Sequence, residues 1–130
     1  MFLEKELSKT VFVRQNLNEL TKNSNTEFNF PFLIESLKQE EKWINGDLNM
    51  MILLKSPKKK VVLTILHAGT EIDSQQLNDS ITIKVLEGRL NLHIRERSVS
   101  LIKGEQLTLN EKLNYSYNSV EETAYLLTIT

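Results

Sequence analysis

The sequence predicts an all-β fold, an antiparallel sandwich or small barrel, preceded by a helix. Three observations carry this. From residue 48 onward, β-rich runs at 49–55, 60–67, 81–87, 89–95, 98–102, 106–109, 113–118 and 123–130 follow one another with no helical pattern between them. Gly69, Gly88 and Gly104 each fall between runs, where turns call for positive φ. Several runs also alternate with the period of a half-buried strand. Ile81, Ile83 and Val85 share a face opposite Thr82 and Lys84, and Leu90, Leu92 and Ile94 oppose Arg89, Asn91, His93 and Arg95. Tyr125, Leu127 and Ile129 alternate with Leu126 and Thr128.

The helix is predicted over residues 31–45, PFLIESLKQEEKWIN. Pro31 suits a first helical turn, where its missing N–H costs nothing. Leu33, Leu37 and Ile44, flanked by Ile34 and Trp43, form an apolar stripe, and Glu35, Lys38, Gln39 and Glu41 cover the other side. Gly46 follows as the expected left-handed stop. Residues 1–30 read as an N-terminal arm with no clear period: a short strand around Val11–Arg14, a frayed helix over 2–9, and a loop over Lys22–Asn25. Residues 31–130 then form a single domain, helix 31–45 and barrel 48–130.

A chain of 130 residues suffices for one core without disulfide or structural metal. Sixteen basic against seventeen acidic residues give a net charge of −1, which weighs against a nucleic-acid binder with its basic excess on one face. There is no cysteine, so disulfides, thiolate metal sites and cysteine nucleophiles are excluded, and two histidines, His67 and His93, cannot build a three-histidine site. Neither a signal-peptide pattern nor a membrane-length apolar segment occurs, so a cytoplasmic protein is expected, with no membrane partner.

Two stretches, Gly69-TEIDSQQLNDSITIKVLE-Gly88 and Gly104-EQLTLNEKLNYSYNS, resemble the two motifs of the cupin superfamily. Val85-Leu-Glu-Gly88-Arg is the most recognisable part, and the helix followed by Trp43, Gly46-Asp47 and a strand looks like the front end of some small bacterial cupins. The resemblance spans about residues 31–130 and implies a double-stranded β-helix barrel of the jelly-roll type. Position by position, it puts Gln75, Leu77, Ile81 and Tyr115 where cupins carry the two histidines, the glutamate and the third histidine that hold a metal, and Asn110 and Lys112 where the second motif has its turn proline and glycine. Leucine and isoleucine cannot coordinate a metal, and glutamine and neutral tyrosine are poor ligands. The resemblance therefore implies a barrel without the usual metal site, and no cofactor is expected.

Gln75 and Tyr115 are implied to face the barrel interior, with Tyr117 on the same face as Tyr115. They are the expected ligand-binding residues, an amide and phenols converging in an apolar pocket; alternatively they satisfy one another or a water. His67, at the end of run 60–67, is a candidate general base with Tyr115 as partner acid, as in metal-free sugar epimerases of the superfamily. His93 lies on the polar side of its strand. Lys55, Lys58, Lys59 and Lys60 around Pro57 form a basic cluster at an expected hairpin turn, read as solvated. Glu40-Glu41 and Glu121-Glu122 lack the arrangement of a glycosidase pair.

The leading functional reading is a non-catalytic, metal-free cupin, a small-molecule-binding or interaction module. The alternatives are a metal-independent isomerase or epimerase using His67 and Tyr115, and a purely structural dimeric barrel. A homodimer is expected, since cupins of this size usually pair and since Leu86 and Leu126 fall on the face opposite the interior.

Overall fold

A computed structural model of the chain describes residues 28–130 apart from 74–79 and 111–113. The expectations for Val11–Arg14, residues 2–9 and Lys22–Asn25, and the placements of Gln75, Leu77 and Lys112, lie outside the described residues.

The predicted helix is two helices. Asn29 caps the first, its side chain accepting from the Phe32 amide at 3.1 Å, and Pro31 sits in the first turn. This helix, α1 (Phe30–Lys38), buries Leu33, Ile34 and Leu37, and α2 (Glu41–Ile44) buries Trp43. Between them the Gln39 and Glu40 amides reach back three residues, to the Ser36 and Leu37 carbonyls at 3.2 and 3.3 Å. The break is held from the sheet. Buried Asn49 donates to the Leu37 carbonyl and to Glu40 Oε1, both at 3.0 Å, while its own Oδ1 accepts from the Met50 amide at 2.9 Å. The break shifts the helical phase, so Ile44, expected on the buried stripe, is 65% exposed. Gly46 is likewise corrected: it has no positive φ, and its small size lets the chain pass the Lys42 carbonyl, 2.5 Å from where a Cβ would stand.

Among the described residues nine strands follow: β1 (Leu48–Ser56), β2 (Lys59–Leu66), β3 (Glu71–Asp73), β4 (Ile81–Glu87), β5 (Arg89–Ile94), β6 (Arg97–Ile102), β7 (Gln106–Leu109), β8 (Tyr115–Ser119) and β9 (Thr123–Ile129). All pairings are antiparallel, in a five-stranded sheet of order β1-β2-β9-β4-β7 and a four-stranded sheet of order β3-β8-β5-β6. The all-β, jelly-roll expectation holds, with β3 as an addition. The alternating residues behave as predicted: Ile81, Ile83, Val85, Leu90, Leu92, Tyr125 and Leu127 are buried between the sheets.

A second cluster lies on the other side of the five-stranded sheet. Leu33, Ile34, Leu37 and Trp43 pack there against Met51, Leu53, Leu63, Ile65 and Ala124. Strands β1 and β2 are therefore apolar on both faces, which is why their sequences run on without alternation. Leu86 and Leu126 also pack against this cluster, so the chain's own helices cover the residues whose apolarity suggested a dimer. Lys38 pins α1 to the β8–β9 turn through Glu122, Nζ to Oε2 at 2.6 Å, a bond that raises the lysine pKa against the opposing effect of burial.

One end of the sandwich is stitched shut. Buried Ser119 donates from Oγ to the His67 carbonyl at 2.6 Å and accepts from the Thr70 amide at 3.0 Å, and its own amide bonds the Thr70 carbonyl at 2.9 Å. Buried Thr123 donates from Oγ1 to the Glu121 carbonyl at 2.7 Å and receives the Arg89 amide at 3.1 Å. The β2–β3 and β4–β5 crossings between sheets are thus both tied to the β8–β9 connection. Gly88 makes the second crossing at φ 87°, where a Cβ would collide with the Glu122 carbonyl and with Thr123.

The middle of the barrel is filled. Tyr117 and Tyr125 are fully buried, with hydroxyls 2.7 Å apart and rings edge to face at 5.6 Å. Burial pushes both phenols well above the usual tyrosine pKa, because a phenolate would be desolvated there. The buried Thr64 hydroxyl, across the strand pair from Tyr125, makes no hydrogen bond of ordinary geometry; it lies near enough to act weakly against the rise at Tyr125.

Asn49→Ala is expected to cost about 2 kcal/mol by leaving the Leu37 carbonyl buried without its donor. Gly88→Ala should cost about 3 kcal/mol, from left-handed strain plus overpacking. Gly104→Ala, with nothing within 4 Å of its Cβ, should cost about 1 kcal/mol. Chemical denaturation measures all three, and equal losses for the two glycines would contradict the assignment of Gly88 to a close approach.

The tyrosine pair makes stability pH-dependent. Above about pH 10 the unfolded chain loses phenolic protons that the folded pair retains, so stability falls as pH rises. Lys38, also raised, loses stabilisation in the same direction. Denaturation midpoints between pH 8 and 11 should fall more shallowly in Tyr117→Phe than in the parent; identical slopes would contradict the buried pair.

Candidate binding cleft at the barrel mouth

The end opposite the stitched one is where β4 and β7 meet at Ile81 and Leu109, β5 and β8 at Ile94 and Tyr115, and β5 and β6 at Ile94 and Arg97. Here the edge strands β6 and β7, one from each sheet, stand unpaired with each other. A cleft of about 560 Å³ opens at this end, lined by Ile94, Arg95, Arg97, Val99, Leu107, Leu109 and Asn110. Its size is that of a small-molecule site. Ile94, Val99, Leu107 and Leu109 belong to the inner core cluster or pack against it, giving the cleft an apolar wall.

Two arginines supply its charge. The β5–β6 hairpin closes on the two residues Arg95 and Glu96 between paired Ile94 and Arg97. Arg95 takes φ 56°, the one non-glycine residue with positive φ among the described residues. That conformation costs an L-residue about 1 kcal/mol or more and is ordinarily given to glycine or asparagine. Arg97 alternates in register with Val99 and Leu101, the inward-facing residues of β6, so a cation occupies the last inward position at the rim.

Tyr115 and Tyr117, the described residues among those expected to bind ligand, face the barrel interior as expected. Tyr117 lies in the filled middle of the barrel. Tyr115 is buried above it toward the mouth, the rings parallel at 6.2 Å, and neither tyrosine lines the cleft. His67 and Tyr115 are not brought together. The odd positions Leu63 and Ile65 of β2 face the helices, and His67 continues that face at the stitched end, stacked on Trp43 at 3.4 Å with Nε2 2.8 Å from the Trp43 carbonyl. Tyr115 faces the interior at the mouth. The pairing of His67 with Tyr115 as base and acid is therefore corrected: strand alternation sends the two side chains to opposite faces, and the strands carry them to opposite ends.

His93 is exposed, as expected, with Nδ1 3.0 Å from Ser98 Oγ and Nε2 3.2 Å from Asn118 Oδ1. The lysine cluster forms the β1–β2 hairpin, Ser56 paired with Lys59, also at the mouth end. Arg97 was not singled out from sequence and Arg95 was read only as a polar strand residue. The available signal was a hairpin gap at residues 95–96 that contains no glycine.

Of the four positions where cupins carry metal ligands, the two that are described, Ile81 and Tyr115, do not offer a donor set for a metal. Ile81 is packed among aliphatic side chains and Tyr115 against Tyr117, and no group of three or more His, Asp or Glu among the described residues is arranged to hold an ion.

No protein-family profile matches the chain, and no curated protein does. Solved structures do. The conserved protein SPY1581 of unknown function from Streptococcus pyogenes matches with a TM-score of 0.65 at 14% identity, covering 85% of this chain and 90% of that one. A cupin superfamily protein from Desulfitobacterium hafniense gives 0.61 at 12%, covering 63% and 75%. Salicylate 1,2-dioxygenase from Pseudoaminobacter salicylatoxidans gives 0.69 at 14% over 78% of this chain and 32% of the dioxygenase. Two antiparallel sheets in this strand order, together with the likeness to these solved structures, give this chain a cupin-type fold.

Proposed function

We propose that the protein is a metal-free cupin that binds a small molecule without transforming it, in the cleft at the barrel mouth. One observation carries the reading: the described positions that would ligate a metal hold Ile81 and Tyr115 in core packing, while a ligand-sized cleft opens beside them. An apolar wall with a few polar groups at its rim is the usual composition of a binding site. The separation of His67 from Tyr115 weighs against the epimerase alternative, and the cleft weighs against a barrel that is purely structural. The proposal includes a cytoplasmic location and a homodimer, the latter on the ground that, among the described strands, β1 and β3 are sheet edges away from the cleft that a second copy would cover.

Native mass spectrometry of protein purified without added metal tests this. The expected spectrum shows a dimer carrying a small organic adduct, and Val99→Trp, which fills the cleft, should lose the adduct while keeping its fold by circular dichroism. Stoichiometric zinc, iron or manganese held in the barrel would overturn the reading, as would an adduct indifferent to Val99→Trp.

A further inference from the structure

We propose that the cleft selects an organic anion: a monocarboxylate on an apolar body, with Arg95 and Arg97 on the charge and Ile94, Val99, Leu107 and Leu109 on the body. This rests on the reading of the cleft as a binding site and names its ligand class. Three features converge on it. Arg95 occupies a left-handed turn position where glycine would be relaxed, so the hairpin keeps a strained residue in order to place a guanidinium at the cleft. Arg97 stands on the inward face of β6, where each following inward residue is aliphatic. Neither guanidinium has an ion-pair partner among the described residues, so both retain donors for a ligand, and the planar fork of arginine matches a carboxylate.

The surroundings agree. Although the whole chain carries −1, the described part of the mouth end brings Lys58, Lys59 and Lys60 to the same end as the two arginines, against Asp73 and Glu96. Such an imbalance raises the local concentration of anions. The cleft wall nevertheless remains aliphatic, which disfavours a small, fully hydrated anion such as phosphate and favours one with an apolar part to bury.

The test uses two probes of nearly equal shape, 1-naphthoate and its neutral amide 1-naphthamide, titrated into the ¹⁵N-labelled full chain. Naphthoate is expected to shift amides of residues 94–99 and 107–110 and to bind at least tenfold tighter than naphthamide. Arg97→Ala should remove most of that preference. Arg95→Gly separates function from folding: it should raise Tm by relieving the turn and yet weaken naphthoate at least threefold. Equal binding of the two probes at the cleft overturns the anion class and leaves the binding site standing. Naphthoate binding unaffected by Arg95→Gly and Arg97→Ala, or shifts confined elsewhere, also overturns the anion class. No cleft shifts with either probe overturn both readings.

Discussion

Two buried hydroxyls, on Ser119 and Thr123, hold the architecture together at one end. A jelly roll must pass its chain repeatedly from one sheet to the other, and each passage leaves backbone donors and acceptors with no strand to pair them. Here Ser119 satisfies the β2–β3 passage at His67 and Thr70, and Thr123 satisfies the β4–β5 passage at Arg89. Gly88 lets the backbone come close enough for that. With both passages tied to one connection, the two sheets are locked edge to edge at this end.

The five-stranded sheet buries one face in the barrel, and over β1 and β2 it also buries the other face under α1 and α2. The four-stranded sheet buries one face and presents small polar residues and His93 outward. Next to the stitched end, the tyrosine pair fills the space between them. Toward the mouth a cleft opens beside β6 and β7, and Arg95 and Arg97 stand at it. Strain at Arg95 and an inward-facing Arg97 are local departures from good folding, of the kind that proteins keep where a side chain serves a ligand.

Much of the fold was legible in the sequence because its signals are local. The period-two runs of β4, β5 and β9 reflect one buried face, and Pro31 marks the first turn of the helix. The helix break was not legible: Gln39 and Glu40 are good helix formers, and the clamp on them comes from Asn49, twelve residues beyond Leu37. Strand β3 was missed because three residues with one buried side chain carry no period. The interior placement of Tyr115 and Tyr117 was read correctly, but which part of the interior stays open depends on how the sheets diverge. The cleft draws its lining from β5, β6, β7 and the turns beside them, so no single stretch of sequence announces it.

The central claim is that the Ser119 and Thr123 hydroxyls fix the sandwich at their end, and native-state amide hydrogen exchange tests it most directly. The amides of Gly69, Thr70, Arg89 and Ser119, all hydrogen-bonded at the stitched end, should exchange only through global unfolding. Local exchange at the stitched end would contradict it.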